Sequence, residues 1–258
     1  MKKDIFYFDG SACLINGNSF QFLETMRAGS VDMIFADPPY FLSNGGISSS
    51  GGRIVSVDKG SWDKVDSFEE KHEFNRNWIK LAKRILKKNG TIWVTGTFHN
   101  IYSVGVALEQ EGFKIMNNIT WYKTNSGDNL THKYFKYTTE TILWARKKES
   151  NAGHYFNYEL MMEINGGLQM EDVWSGPHTA HKEKRFGKHP TQKPEYLLER
   201  IILASTEPGD LILDPFVGSG TTCVAAKRLG RKSIGVDKEG EYLEIGRRRL
   251  MALDETVK

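Results

Sequence analysis

The chain has 258 residues, 39% hydrophobic and 26% charged, proportions that exclude wholesale disorder and suit one α/β domain with insertions or two small domains. A net charge of +3 is too small to mark a polyanion binder by itself. No run approaches the roughly 20 apolar residues of a membrane span, and Asp4 and Asp9 break any N-terminal export segment, so a cytoplasmic protein with no membrane partner is expected. Cys13 and Cys223 stand apart outside any CxxC pattern, which argues against a disulfide framework. His178, His181 and His189 lack metal-ligand spacing, so no metal is expected.

In chain order, residues 19–26 place Phe22, Leu23 and Met26 on one helical face, and 30–36 read as a short buried strand. Residues 43–64 begin with "SNGGISSSGGRIVSVDKG", a Gly/Ser-rich stretch without helical period, read as a mobile loop beside a strand end. Residues 68–86 carry Phe74, Trp78, Leu81, Ala82 and Ile85 at helical spacing, with "KKNG" at 87–90 as a basic last turn and glycine stop. A strand at 91–95, a helix at 101–111 and strands at 113–121 and 141–145 follow. The pattern weakens after Asn151 and returns as a helix at 194–205, a strand at 211–213, a helix at 221–229, a strand at 232–236 and a helix at 241–250. Strands alternating with helices predict a mostly parallel sheet with helices on both faces. The irregular stretch at about 146–188 is read as a lobe inserted into that single domain.

Two strand ends carry the chemistry. In "LILDPFVGSGTTC" a strand ends at Asp214, a loop carries Gly218 and Gly220, and a helix opens at Thr221. Small residues there let backbone approach a ligand, and the helix N-terminus favours an acceptor or anion. This is neither the dinucleotide fingerprint nor a Walker loop. About 20 residues on, Asp237 ends the next strand, where an acidic side chain either accepts both hydroxyls of a ribose or caps the following helix.

The other end is "FADPPY". Consecutive prolines end a strand and stiffen the chain just after Asp37 and just before Tyr40. An exocyclic amino group on a nucleobase is a poor nucleophile because its lone pair is delocalised into the ring. Acceptors on both N–H hydrogens let the nitrogen pyramidalise. The Asp37 carboxylate and the Pro38 carbonyl supply two at a separation that Pro38 and Pro39 freeze, and Tyr40 offers a face for an extruded base. A sulfonium methyl is the matching electrophile, its adenosine suiting the glycine loop and Asp237. Because ligands of open parallel sheets gather at strand carboxyl ends, both motifs can face one crevice.

Taken together, Asp37-Pro38-Pro39-Tyr40 and Asp214-Pro215-Phe216-Val217-Gly218-Ser219-Gly220 resemble the catalytic and cofactor motifs of amino-methylating DNA methyltransferases. Their order resembles the circularly permuted β class of the Rossmann-like methyltransferase fold. "IFADPPYFLSNGGISSSGG", "SFEEKHEFNRNWIKLAK" and "GKHPTQKPEYLLERIILAST" are similar to companion adenine methyltransferases of DpnII restriction systems. That resemblance implies S-adenosyl-L-methionine as cofactor and methylation of adenine N6 within GATC, on a flipped-out or single-stranded base. It also implies a companion restriction endonuclease and, through helices after the catalytic motif, a homodimer. It assigns Asp37, Pro38, Pro39 and Tyr40 to the target base. The cofactor falls to Asn18, Asp37, Thr191, Asp214, Phe216, Gly218, Ser219, Gly220, Thr221, Thr222 and Asp237, with Lys193 either near the methionine carboxylate or on a phosphate. Lys182, Lys184, Arg185 and Lys188 are candidate phosphate contacts, and the lobe is where target sequence is read. Trp62-Asp63 resembles a recurring pair of the class, and Cys223 reads as a small helix residue rather than a nucleophile. Rival readings are cytosine-N4 methylation, amino-methylation of RNA bases, and a nucleotide-binding module without catalysis.

Overall fold

The computed structural model describes residues 5–41, 47–50, 53–56, 67–129 and 132–255. It opens with a hairpin that no periodicity announces. Strands β1 (Ile5–Phe8) and β2 (Ala12–Asn16) pair antiparallel about Asp9-Gly10. There the Asp9 carboxylate accepts the Ser11 and Ala12 amides at 2.9 and 2.8 Å, and Gly10 takes φ +92°. Helix α1 (Ser19–Thr25) is capped by Asn18, whose side chain accepts from the amides of Phe20 and Gln21. Strand β3 (Val31–Ala36) then runs through the core to the tetrapeptide Asp37-Pro38-Pro39-Tyr40. Of the loop expected at 43–64, the described residues are β4 (Ile47–Ser50) and β5 (Arg53–Ser56), an antiparallel pair. The rest, with Trp62 and Asp63, lies outside the described residues.

Helix α2 (Phe68–Ile85) starts where Ser67 caps the Glu70 amide, and it buries Trp78, Ile79, Ala82 and Ile85. Its basic last turn is Lys83-Arg84, not the "KKNG" that follows. Residues 87–90 belong to β6 (Leu86–Gly96), which bulges between the pairs Val31–Leu86 and Met33–Thr91. Gly90 is required for close approach: a Cβ there would lie 2.7 Å from the Asp32 carbonyl. Helix α3 (Ile101–Gln110) precedes β7 (Phe113–Lys123) and β8 (Thr139–Lys147). Next come α4 (Tyr158–Ile164) and β9 (Val173–Gly176). Helix α5 (Glu195–Ser205), β10 (Leu211–Asp214), α6 (Thr221–Arg228), β11 (Lys232–Asp237) and α7 (Gly240–Glu255) complete the chain.

The large sheet has the order β1-β2-β11-β10-β3-β6-β8-β7-β9. Strands β2, β11, β10, β3 and β6 pair parallel, as do β7 and β9, while β8 runs antiparallel to both its neighbours. One face packs on α1, α2 and α3, the other on α5 and α6, with α7 over β2. Alternation along β3 sends Ile34 to the first core and Met33 and Phe35 to the second. The irregular stretch near 146–188 folds onto this framework. Trp174 of β9 packs with Trp93 and Trp144 in the second core, and Asn157 donates from its amide to the Ala204 carbonyl of α5. Burial of each such large side chain contributes about 1.5–3 kcal/mol. Among the described residues no helix is long and apolar enough to cross a membrane.

The topology decides where a ligand can sit. From β3 the chain crosses by α2 to β6 on one side, and from β10 by α6 to β11 on the other. The topological switch point therefore lies between β3 and β10, with crevice residues expected at their carboxyl ends.

Candidate active site

Four adjacent parallel strands deliver their carboxyl ends to this crevice. Beyond β2 comes Asn18, at the end of β11 Asp237, at the end of β10 Asp214, and just past β3 Asp37. Side-chain to backbone bonds stitch the ends together. Asn16 donates to the carbonyls of Asp237 and Lys238, and Ser19 donates to the Pro215 carbonyl. Asn18, Asp37, Pro38, Pro39, Tyr40, Thr191, Phe216, Gly218 and Asp237 line the main crevice. Asp214, Lys193, Ser219, Thr221 and Thr222 line a smaller adjoining cavity that shares Asp37, Thr191, Phe216 and Gly218 with the first. Gly220 lines neither cavity. At φ +79° it lets α6 meet α7, since a Cβ would lie 2.9 Å from the Gly246 Cα.

Asp37 is held from three directions. Its Oδ1 accepts the Tyr40 and Thr95 hydroxyls, each at 2.7 Å, and its Oδ2 accepts Lys193 Nζ at 2.6 Å. An ionised carboxylate has about four acceptor positions, so among the described residues one remains, on Oδ2. Pro39 gives its carbonyl to the Asn100 amide at 2.8 Å, whereas no described residue donates to the Pro38 carbonyl. The two free acceptors are therefore the pair that the tetrapeptide predicts. Tyr40 lines the crevice but is only 7% exposed. Burial and the neighbouring Asp37 and Glu140 charges hold its hydroxyl protonated well above the usual tyrosine range.

Lys193 turns its ammonium towards the Asp-Pro-Pro-Tyr end. Its Nζ reaches Asp37, the Tyr40 hydroxyl at 3.0 Å and Glu140 at 3.5 Å. Burial opposes its charge, but Asp37 and Glu140 outweigh that and raise its pKa. Glu140, on β8, bonds Lys123 at 3.0 Å. Burial works against its ionised form too, and the two lysines reverse the balance and lower its pKa. Asp37, Glu140, Lys123 and Lys193 thus form a neutral, enclosed square. Only Asp37 and Lys193 could be read from sequence. Glu140, Lys123 and Thr95 lie on strands with no motif and are brought in by the pairing of β6, β8 and β7.

On the cofactor side, Asp214 is 2% exposed and accepts the Phe216 amide at 2.9 Å and the Thr222 hydroxyl at 2.5 Å. No cation pairs with it among the described residues, and burial pushes its pKa up to about 7. Asp237 accepts the Gly218 amide and the Glu239 amide, each at 2.9 Å. It both lines the crevice and caps the turn into α7. Burial raises its pKa against these two amides. Asn18 lines the crevice while its carbonyl oxygen is spent on capping α1.

Sequence reading missed Phe20, His189 and Tyr242, which also line the crevice. It also missed Arg249. Arg249 is buried and donates to the Ser219 carbonyl, the Thr221 hydroxyl and Glu195, which braces the glycine loop. Lys182, Lys184, Arg185 and Lys188 sit on the turn that leads into His189 and Thr191. Cys223 is buried and burial drives its thiol up to about 12, so it packs rather than reacts.

A mixed, mostly parallel sheet in which the Asp-Pro-Pro-Tyr strand precedes the strand of the glycine loop and lies beside it defines a circularly permuted α/β methyltransferase. The model of the DNA methylase family N6_N4_Mtase matches residues 31–248, and the chain belongs to that family. It is 67% identical to the type II methyltransferase M2.DpnII of Streptococcus pneumoniae over 251 residues, 97% of this chain and 94% of that protein. It is 50% identical to M2.MboI of Moraxella bovis over 245 residues, 95% and 89% of the two chains. Among solved structures it matches the M1.HpyAVI–SAM complex with a TM-score of 0.68 at 26% identity, covering 93% of this chain and 98% of that one. The PvuII cytosine-N4-specific DNA methyltransferase matches with a TM-score of 0.74 at 20% identity, covering 96% and 89%, and speaks to the fold alone.

Proposed function

We propose that this DNA methyltransferase transfers a methyl group from S-adenosylmethionine to the N6 amino group of adenine, within GATC, as the modification enzyme of a restriction system. The observation that carries the reading is the pair of free acceptors at Asp37 Oδ2 and the Pro38 carbonyl, one for each amino hydrogen. The residues present fit the cofactor. Asp214 is a buried carboxylate without a cationic partner among the described residues, suited to an α-ammonium. Asp237 keeps acceptor capacity for ribose hydroxyls, and Phe20, Phe216 and Tyr242 give apolar walls for an adenine ring. When bound, S-adenosylmethionine supplies a methyl on a cationic sulfur.

The chain's own residues do the rest. Asp37 and Pro38 hold the two N–H groups so that the nitrogen lone pair leaves conjugation. Thr95, Tyr40 and Lys193 are positioning residues that fix the carboxylate, and a site rigid before the base arrives needs no reorganisation during transfer. The target amino group is buried in duplex DNA, so the base is flipped or comes from a single strand. The turn at 182–188 meets phosphates, and the stretch at about 146–188, continuous with it, reads the sequence. Likeness to type II methyltransferases extends the proposal to a cytoplasmic partnership with a restriction endonuclease. A homodimer would meet at the exposed face of α3, where Tyr102 and Val106 are 74% and 51% exposed. Mapping methylation on adenine-unmethylated DNA, duplex and single-stranded, tests all of this. N6-methyladenine confined to GATC is the expected result; N4-methylcytosine, or transfer to RNA alone, would overturn it.

A further inference from the structure

Phe98, Tyr134 and Tyr137 hold exposed aromatic rings together where the chain leaves β6 and enters β8, and Phe135 is exposed beside them in sequence. Tyr137 stacks on Phe98 with centroids 5.0 Å apart, and Tyr134 tilts against Tyr137 at 5.4 Å. Phe135 is 95% exposed. Rings left in water at this density mark a binding surface.

Both roots of the patch lead to the catalytic tetrapeptide. Phe98 sits in the turn at 97–100, between Thr95, which holds Asp37, and Asn100, which holds the Pro39 carbonyl. Tyr137 lies three residues before Glu140, which reaches Lys193 and the Tyr40 hydroxyl. The rings therefore rise from the two segments whose neighbouring residues hold Asp37, Pro39 and Tyr40. In "HKYFKY", Lys133 and Lys136 interleave with the rings. The partner of Lys136 is Asp128, itself 86% exposed, so this ion pair is weak and exchangeable. Aromatic faces alternating with cations suit a chain of bases on a phosphate backbone.

We propose that Phe98, Tyr134, Phe135 and Tyr137 form a stacking platform for the bases next to the target in an unpaired DNA strand. The proposal rests on the DNA reading above and adds a surface to it. In a duplex those neighbours already stack on one another, so the platform serves single strands selectively.

The test compares wild type with Phe98→Ala/Tyr137→Ala and with Phe98→Trp/Tyr137→Phe, all with melting temperature and cofactor binding as checks on folding. Anisotropy of a fluorescein-labelled single strand of mixed sequence, and of the same sequence as duplex, gives Kd; methyl transfer gives KM and kcat. The alanine pair is expected to weaken single-strand binding about tenfold, the loss of one stacked base, and to raise KM with kcat little changed. Duplex binding should move less than twofold, and the aromatic pair should behave as wild type. Unchanged single-strand binding, equal loss on duplex, or a changed oligomeric state in the alanine pair would each overturn the platform. Absence of transfer to any DNA by wild type would instead overturn the function on which it rests.

Discussion

Asp37 and Asp214 end neighbouring strands of one sheet, and the protein treats them in opposite ways. Asp37 receives a lysine and two hydroxyls and belongs to a charge-neutral square. Asp214 receives an amide and a hydroxyl but no cation among the described residues, and its pKa stands at about 7. On the function proposed, the acceptor that works on a neutral amino group has its countercharge built in, and the acceptor on the cofactor side is left for a charge that comes with the ligand. Preorganisation and recognition thus divide between two carboxylates about one strand spacing apart.

The contrast is sharpest at Asp37. Asp37→Ala should abolish methyl transfer, by about a thousandfold or more in kcat, while isothermal titration shows cofactor binding retained; loss of both together would break the division. Lys193→Met leaves Asp37 and Glu140 sharing one lysine in an enclosed site, and should cost about 3–5 kcal/mol of stability. Adding Glu140→Gln restores charge balance, so chemical denaturation should show much of that stability recovered without recovery of transfer. If the double variant melts no higher than the single one, the square does not act as a unit.

Asp214→Asn tests the other side. A raised folded pKa means that the folded state holds a proton the unfolded state has released, so Asp214 destabilises the cofactor-free protein increasingly as pH rises from about 4 to 7. The variant should melt above wild type at pH 8, by an amount of the order of a few kcal/mol, with the gap closing towards pH 4. Its cofactor affinity should fall tenfold or more. A variant that melted below wild type at pH 8 would mean that the carboxylate is not penalised there. Lys184→Ala should have the smallest effect: DNA of every sequence binds a few-fold more weakly, with the salt slope reduced by about one. A changed sequence preference would move Lys184 from phosphate to base contact.

The hairpin of β1 and β2 was legible only as an Asp-Gly turn, because the strands are short and β1 is largely exposed. The β9 strand and α4 lacked periodicity because each buries few residues, Trp174 and Met161, against elements distant in sequence. "KKNG" misled for a related reason: a glycine kept for close approach in a bulged strand looks like a helix stop. Gly220 and Asn18 were read as ligand contacts from motif position, and their packing and capping duties depend on neighbours that the motif does not contain.

By itself the amino-acid sequence determined the alternating α/β pattern and the two strand-end motifs, because strand period, proline stiffness and glycine freedom act within a few residues. Only the tertiary structure decided which charges face Asp37 and which face Asp214. It set β3 beside β10 and β8 beside β6, and so drew Thr95, Lys123, Glu140 and Lys193 around one carboxylate while giving the other, among the described residues, a hydroxyl and an amide. Electrostatic energy depends on distance through space, and distance along the chain carries almost none of it.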